Sequence, residues 1–173
     1  MSRRRRTTQL ERTAYHEASH AVVATLLDVA VREVTIVPYV PEDDYAVKVL
    51  DARAGGGVKV SGCFVSLGQQ LDVLLAGGVG ENMFRRDYLI FSLFGSASSD
   101  MYRAEEAALC AFLGRAEEPH ARAKRLLRKR RKSVRELLRE NWNQVERVVQ
   151  ELLQHKTVSG DRVRELCTME RAA

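Results

Sequence analysis

Apolar residues recur with two different periods along the first third of the chain. From Gln9 to about Leu27 they cover most of the circumference of a helix, which predicts a first helix that is buried on nearly every side. From Val31 to Val37 they alternate with polar residues, as in a strand, and the pattern stops at Pro38. Tyr45 to Leu50 and Val58 to Phe64 are two more candidate strands, joined through a glycine-rich hairpin tip.

A second helix is predicted from Ser66 to about Phe84, although it contains Gly77, Gly78 and Gly80. Each glycine costs a helix roughly 1 kcal/mol relative to alanine. Two explanations are open, namely close packing against the first helix or an early end of the second one.

A loop of small residues, Phe91 to Ser99, leads to a third helix that ends near Gly114. Ser98 is the predicted N-cap of this helix, which places Asp100 in its first turn. A carboxylate in the first turn is favoured by the helix dipole even without a ligand.

The last helical region begins at Glu118-Pro119, a turn is predicted at Val158 to Asp161, and a short terminal helix covers Arg162 to Met169. The long region carries one continuous apolar stripe, formed by Leu127, Val134, Leu138, Trp142, Val145, Val149 and Leu152. The predicted fold is therefore mainly α, of the α+β class, with a small β-hairpin or three-stranded sheet between helices 1 and 2.

Charge is concentrated in two segments, although the net charge of the 173 residues is only +5. Arg3 to Arg6 and Arg122 to Arg135 contain no acidic residue, and the second segment should mostly occupy the helix face opposite the apolar stripe. Such segments can bind nucleic acid or an acidic partner, but they are more often solvated surfaces.

The chain shows no run of about 18 apolar residues and no secretory signal, so we expect no membrane span and a cytoplasmic location. The three cysteines, Cys63, Cys110 and Cys167, are far apart and odd in number. They are therefore predicted to be free thiols in a reducing compartment.

The first helix contains the pattern His16-Glu17-Ala18-Ser19-His20. Two histidines four residues apart leave the same helix face and can bind one metal ion, while Glu17 lies about 100° around the axis, where a general base is needed. The pattern also arises by chance, and a buried histidine is often just a hydrogen-bonded core residue. Here the apolar helix offers no other use for these side chains, which favours a zinc site.

Zinc in a hydrolase usually has three protein ligands, so a third group must come from elsewhere. A third histidine close in sequence is excluded, because the corresponding positions are Val23 and Leu26. His120 and His155 lie in the charged C-terminal region and should be exposed. Four carboxylates remain as candidates, and position alone does not choose among Glu81, Asp100, Glu105 and Glu106.

Several segments, in the same order, resemble the peptidase domain of FtsH-type ATP-dependent zinc proteases. Ala14 to Ala24 is similar to the metal-binding signature of that family, and Glu33 to Pro38 to its following strand. Leu74 to Glu81 resembles its glycine-containing helix, and Ser96 to Met101 the segment that carries its aspartate ligand. Near the end, Leu152 to Gly160 follows the family pattern again, so the resemblance covers roughly residues 9–167.

The resemblance implies that His16, His20 and Asp100 hold one Zn²⁺ and that Glu17 deprotonates the attacking water. It makes Glu81 a helix-packing or outer-sphere residue rather than a ligand. It also implies a zincin-like fold. The length and composition fit a single domain over residues 9–169, after a disordered basic N-terminus at 1–8. Residues 9–114 would form the zinc-site core and 115–169 a C-terminal helical region.

Three departures from the family pattern accompany the resemblance. Ser19 stands where the family usually has glycine, and residues 38–63 differ in detail. The sequence contains no phosphate-binding loop, ATPase domain or membrane anchor, so we expect a stand-alone peptidase. Any unfolding of substrates would then depend on a separate ATPase or on a homo-oligomer.

The expected function is a zinc-dependent metalloendopeptidase that cleaves unfolded or flexible polypeptides. Two other functions are weighed against it. The chain could be a catalytically silent adaptor of the same fold, which the intact Glu17 disfavours. It could instead bind nucleic acid through residues 122–135, which contain no recognised motif and no interleaved aromatic residues.

Overall fold

Six helices and three strands are described in a computed structural model, which covers residues 8–37, 57–60, 64, 66–85 and 97–169. In chain order the elements are α1 Gln9–Leu26, β1 Val31–Thr35, β2 Gly57–Val60, α2 Leu67–Arg85, α3 Ala97–Cys110, α4 Pro119–Glu140, α5 Trp142–His155, β3 Thr157–Ser159 and α6 Gly160–Thr168. The structure is thus mainly helical with one small antiparallel sheet, which confirms the predicted fold class.

Helix α1 lies at the centre and packs most extensively against α2 and then α5. Its start is fixed by a capping box, in which Glu11 N–H donates to the hydroxyl of Thr8 and Thr8 N–H donates to the Glu11 carboxylate. From Thr13 to Ala24 the helix is buried except at Tyr15. A helix that is apolar on most sides requires such a position, as the sequence predicts.

Helix α2 is continuous through its glycines, and Leu71 to Gly80 are all buried. Of the two explanations open for these glycines, the structure supports close packing on α1. Tyr15 strengthens the same junction, because its ring stacks between Phe84 of α2 at 3.8 Å and Trp142 of α5 at 5.6 Å, measured between ring centroids.

The sheet has the order β2-β1-β3, and both pairs are antiparallel. Val34 in the central strand lies opposite Val58 on one side and Val158 on the other, and all three are buried. The third strand corrects the prediction of a turn at Val158 to Asp161, because Thr157–Ser159 pairs with β1 before α6 begins at Gly160. Glycine is needed there, since a β-carbon on Gly160 would lie 1.7 Å from the Val31 carbonyl oxygen.

Two further predictions need correction, and others lie outside the described residues. Helix α3 already begins at Ala97, so Ser98 lies inside its first turn and is not the N-cap, whereas Asp100 does lie in that turn. The C-terminal apolar stripe is divided at Asn141 into α4 and α5. The strand predicted at Tyr45 to Leu50 and the hairpin tip before Gly57 fall outside the described residues, as does Cys63.

The basic segment of α4 divides into two groups. Its exposed members, which agree with the predicted solvated face, are Arg122, Lys124, Arg125, Arg128, Lys129 and Lys132. The other three, Arg130, Arg131 and Arg135, are half-buried. Arg130 turns toward the core, where its Nε donates to Asp72 Oδ1 of α2 at 2.7 Å.

The helices that the structure describes include none that is both long and apolar enough to cross a membrane. Cys110 is a free exposed cysteine, and Cys167 is a free buried one.

Candidate metal centre

His16 and His20 of α1 meet Asp100 of α3 in the core of the protein. Asp100 Oδ2 lies 3.2 Å from His16 Nε2 and 2.9 Å from His20 Nε2, and the two ring nitrogens are 3.0 Å apart. Both histidines are fully buried and Asp100 is 1% exposed. Among the described residues this is the group of histidine, cysteine and carboxylate side chains whose ligand atoms converge closely enough to hold a metal ion.

The hydrogen bonds around His20 decide which atom points into the centre. Its Nδ1 lies 2.6 Å from the carbonyl oxygen of Val73, an atom that can only accept, so Nδ1 carries the proton. In the neutral ring Nε2 then bears a lone pair, and that lone pair faces the Asp100 carboxylate. Two acceptors at this distance repel each other unless a proton on Nε2 or another cation lies between them.

The spacing of the three atoms suits a small tetrahedral ion. Zinc bonds of about 2.0 to 2.2 Å to nitrogen and oxygen would separate neighbouring ligand atoms by roughly 3.3 Å. The separations of 2.9 to 3.2 Å are slightly shorter than this value. Two imidazoles and one carboxylate are also a typical zinc donor set in hydrolases. The residues present therefore fit the ion.

A glycine of α2 closes one side of the centre. A β-carbon on Gly77 would lie 2.2 Å from His20 Nε2 and 2.5 Å from His16 Nε2, closer than atoms can approach. The backbone of α2 therefore packs directly against the two ring nitrogens.

Glu81 lies on α2 one turn after Gly77. It faces His16 at Nδ1, the ring nitrogen that points away from Asp100. Its Oε2 lies 3.7 Å from His16 Nδ1, whereas Nε2 faces Asp100. Its other oxygen, Oε1, accepts hydrogen bonds from Arg12 Nε at 2.8 Å and Arg12 Nη2 at 2.6 Å. Glu81 thus lies behind His16, outside the set of converging atoms.

The carboxylates in and around the centre favour a bound positive charge. Burial by itself would lower the pKa of His16, but the carboxylates of Asp100 and Glu81 outweigh it and raise that pKa to about 10. Burial would raise the pKa of Asp100, but His20 and His16 lower it to about 2. Burial opposes ionisation of Glu81 as well, yet His16 and Arg12 hold its pKa at about 2. The site therefore holds two carboxylates that remain ionised, and it is stabilised by a proton or another cation.

Glu17 lies beside the histidines on α1 and is 1% exposed. Its carboxylate contributes to the raised pKa of His16, so its charge acts directly on the centre. The candidates not brought into the centre lie at the surface: Glu105 and Glu106 on α3, His120 on α4 and His155 on α5 are all exposed.

Two participants were missed by the sequence reasoning. Arg12 precedes His16 by four residues, so the helical period could have placed it on the same face. The Val73 carbonyl that orients His20 is a backbone atom of another helix, and the side-chain pattern gives no signal for it.

Comparison with known proteins relates the chain to a protease. No protein-family model matches the chain. It is 29% identical over 180 aligned positions to an ATP-dependent zinc metalloprotease FtsH from Caldicellulosiruptor bescii. The match covers 89% of this chain and 29% of that protein, so the chain spans less than a third of the length of its relative. The chain is thus similar, over most of its length, to one part of an FtsH-type zinc metalloprotease.

Proposed function

We propose that the chain is a zinc-dependent metalloendopeptidase that cleaves unfolded or flexible polypeptides. The observation that carries the proposal is the convergence of His16 Nε2, His20 Nε2 and Asp100 Oδ2 in a buried site. These three side chains would hold one Zn²⁺. The FtsH-type relative supports the same metal and reaction class by its name, at low identity.

When bound, zinc would supply a Lewis acid that lowers the pKa of a water molecule and polarises a peptide carbonyl. Glu17 would act as the general base, accepting the proton of the attacking water on its carboxylate and later passing it to the leaving amine. Val73 and Glu81 would keep the lone pairs of His20 and His16 directed inward, since each faces the Nδ1 atom of one ring.

Burial of the site supports the expected substrate class. Because the ligands and Glu17 are buried, a scissile bond must be presented by a chain that can extend locally. Within the described residues β2 lies at an edge of the sheet, where an extended peptide could add as a further strand. We propose no unfolding activity for this domain itself.

Casein hydrolysis by the zinc-loaded full chain tests the proposal. We expect activity that a chelator removes and zinc restores, and a loss of 10²- to 10⁴-fold in Glu17→Gln with the zinc content retained. Glu105→Gln, which changes an exposed carboxylate on α3, is the matched control and should keep full activity.

Other outcomes, from the casein assay and from a nucleic-acid binding assay, distinguish the two alternative functions. A zinc-loaded wild type that is inactive on every unfolded substrate, or a Glu17→Gln variant as active as the wild type, would contradict the enzymatic role and favour an adaptor. Salt-sensitive retention on DNA or RNA, lost when the exposed cations of α4 are changed to glutamine, would instead favour nucleic-acid binding.

A further inference from the structure

Arg12 is joined to the metal centre through a single intermediate residue. It lies one helical turn before His16 on α1, and its guanidinium reaches across to Glu81 on α2. The side chains of this pair are 27% and 12% exposed. The pair is therefore partly shielded from water, where a charge-assisted hydrogen bond is stronger than at the surface.

The two oxygens of Glu81 have separate partners. Both donors of Arg12 bind Oε1, at 2.8 and 2.6 Å, which leaves Oε2 facing His16 Nδ1 at 3.7 Å. The guanidinium thus holds one carboxylate oxygen from two nitrogens, and the other oxygen lies on the side of the histidine. A lysine would offer a single nitrogen and could not hold Oε1 from two sides.

Within the described part of the chain, Arg85 is the other arginine that pairs with Glu81. Arg85 lies on the same helix as Glu81, and its Nη1 is 3.8 Å from Oε1, about 1 Å further than either nitrogen of Arg12. Among the contacts described for the carboxylate, the short ones on Oε1 come from Arg12.

We propose that Arg12 is a positioning residue of the metal centre, which orients the Glu81 carboxylate so that His16 keeps its proton on Nδ1 and its lone pair on Nε2. The inference rests on the proposed function, because it assumes that His16 Nε2 is a metal ligand. Outer partners of ligand histidines typically change metal affinity by about 10- to 100-fold when removed.

The test measures the zinc Kd of the full chain by competition with a chromogenic chelator. Arg12→Gln should raise Kd by about 10- to 100-fold, and Arg12→Lys should give an intermediate value. The matched control is Arg130→Gln. It breaks the Arg130–Asp72 pair, which also joins a helix to α2 and has nearly the same exposure, 30% and 10%. It should lower the unfolding temperature similarly and leave Kd within about twofold of the wild type.

A double substitution decides whether Arg12 acts through Glu81. If it does, Arg12→Gln combined with Glu81→Gln binds zinc no more weakly than Glu81→Gln alone. Additive effects, or a wild-type Kd in Arg12→Gln, would overturn the inference while leaving the proposed protease intact. A wild type that binds zinc but cleaves nothing would overturn the protease and leave the Kd comparison decisive, whereas a wild type without zinc affinity would overturn both.

Discussion

Gly77 of α2 lies against His20 of α1 so closely that a β-carbon at position 77 would be 2.2 Å from the ring Nε2. The same β-carbon would be 2.5 Å from His16 Nε2. A glycine inside a helix costs roughly 1 kcal/mol, and this one leaves the two ring nitrogens the space they occupy. The arrangement of the two histidines therefore depends on the absence of a side chain at position 77.

Gly77→Ala should weaken zinc binding by at least about 100-fold and lower the free energy of unfolding by about 1 to 3 kcal/mol, because the methyl group overpacks the centre. Gly68→Ala is the matched control on the same helix. Its β-carbon would meet the tip of the Arg130 side chain at 2.9 Å, and that flexible tip can move aside. Zinc titration and denaturant unfolding measure both effects, and wild-type zinc affinity in Gly77→Ala would contradict this packing.

Ser19 and Gly80 form a second close contact between α1 and α2. The Ser19 hydroxyl donates to the Tyr15 carbonyl at 2.7 Å, and a β-carbon on Gly80 would lie 1.8 Å from that hydroxyl oxygen. With the Ser19 side chain removed, the atom nearest to that β-carbon would be the Tyr15 carbonyl oxygen, at 3.4 Å. Serine at position 19, which departs from the usual glycine, is thus tolerated because position 80 has no side chain.

This contact predicts that the effect of Gly80→Ala on the free energy of unfolding changes sign when Ser19 is replaced by glycine. Gly80→Ala should destabilise the wild type by about 1 to 3 kcal/mol, yet stabilise a Ser19→Gly background by up to about 1 kcal/mol through helix propensity. The wild type, both single variants and the double variant form a double-mutant cycle. Urea unfolding, followed by the fluorescence of Trp142, the single tryptophan of the chain, measures all four. Equal effects of Gly80→Ala in both backgrounds would refute the coupling.

The charges of the centre make the metal-free protein sensitive to pH in both directions. The pKa of His16 is raised from 6.5 to about 10, so its stabilisation is complete below pH 6.5 and is lost as pH rises toward 10. The pKa values of Asp100 and Glu81 are lowered to about 2, so their stabilisation is present above about pH 4.5 and is lost as pH falls toward 2. Greatest stability of the metal-free form is expected between these limits.

Zinc must displace the proton of His16, so zinc affinity should increase with pH. Between pH 6 and 8 we expect about a tenfold gain per pH unit, equivalent to one proton released per ion bound. Chelator competition, corrected for protonation of the chelator, measures the slope. A zinc affinity that does not change over this range would show that zinc binding displaces no proton from His16.

The helices were predictable where one apolar face determines them. Helix α1 follows from apolar residues on most of its circumference, whereas its capping box of Thr8 and Glu11 was found only in the structure. The break between α4 and α5 at Asn141 was not predictable, because the apolar spacing continues across it. Strand β3 was missed since its three residues depend on pairing with β1, more than a hundred residues earlier.

The candidate metal centre was predictable in part. Helical spacing places His16 and His20 together, but only the family resemblance preferred Asp100 over Glu81, since they lie on different helices from the histidine pair. In the structure Asp100 lies beside the Nε2 atoms of both histidines, whereas Glu81 lies near Nδ1 of His16. The assignment of His16, His20 and Asp100 as ligands and of Glu17 as the base remains a prediction, as do the cytoplasmic location and any ATPase or oligomeric partner.

Anomalous X-ray diffraction at the zinc absorption edge, from crystals of the zinc-loaded full chain, tests the central claim most directly. We predict one strong peak per chain, about 2.0 to 2.2 Å from His16 Nε2, His20 Nε2 and an Asp100 carboxylate oxygen, with Glu81 outside bonding distance. A peak bound by Glu81 in place of Asp100, or no peak between the two histidines, would contradict the account.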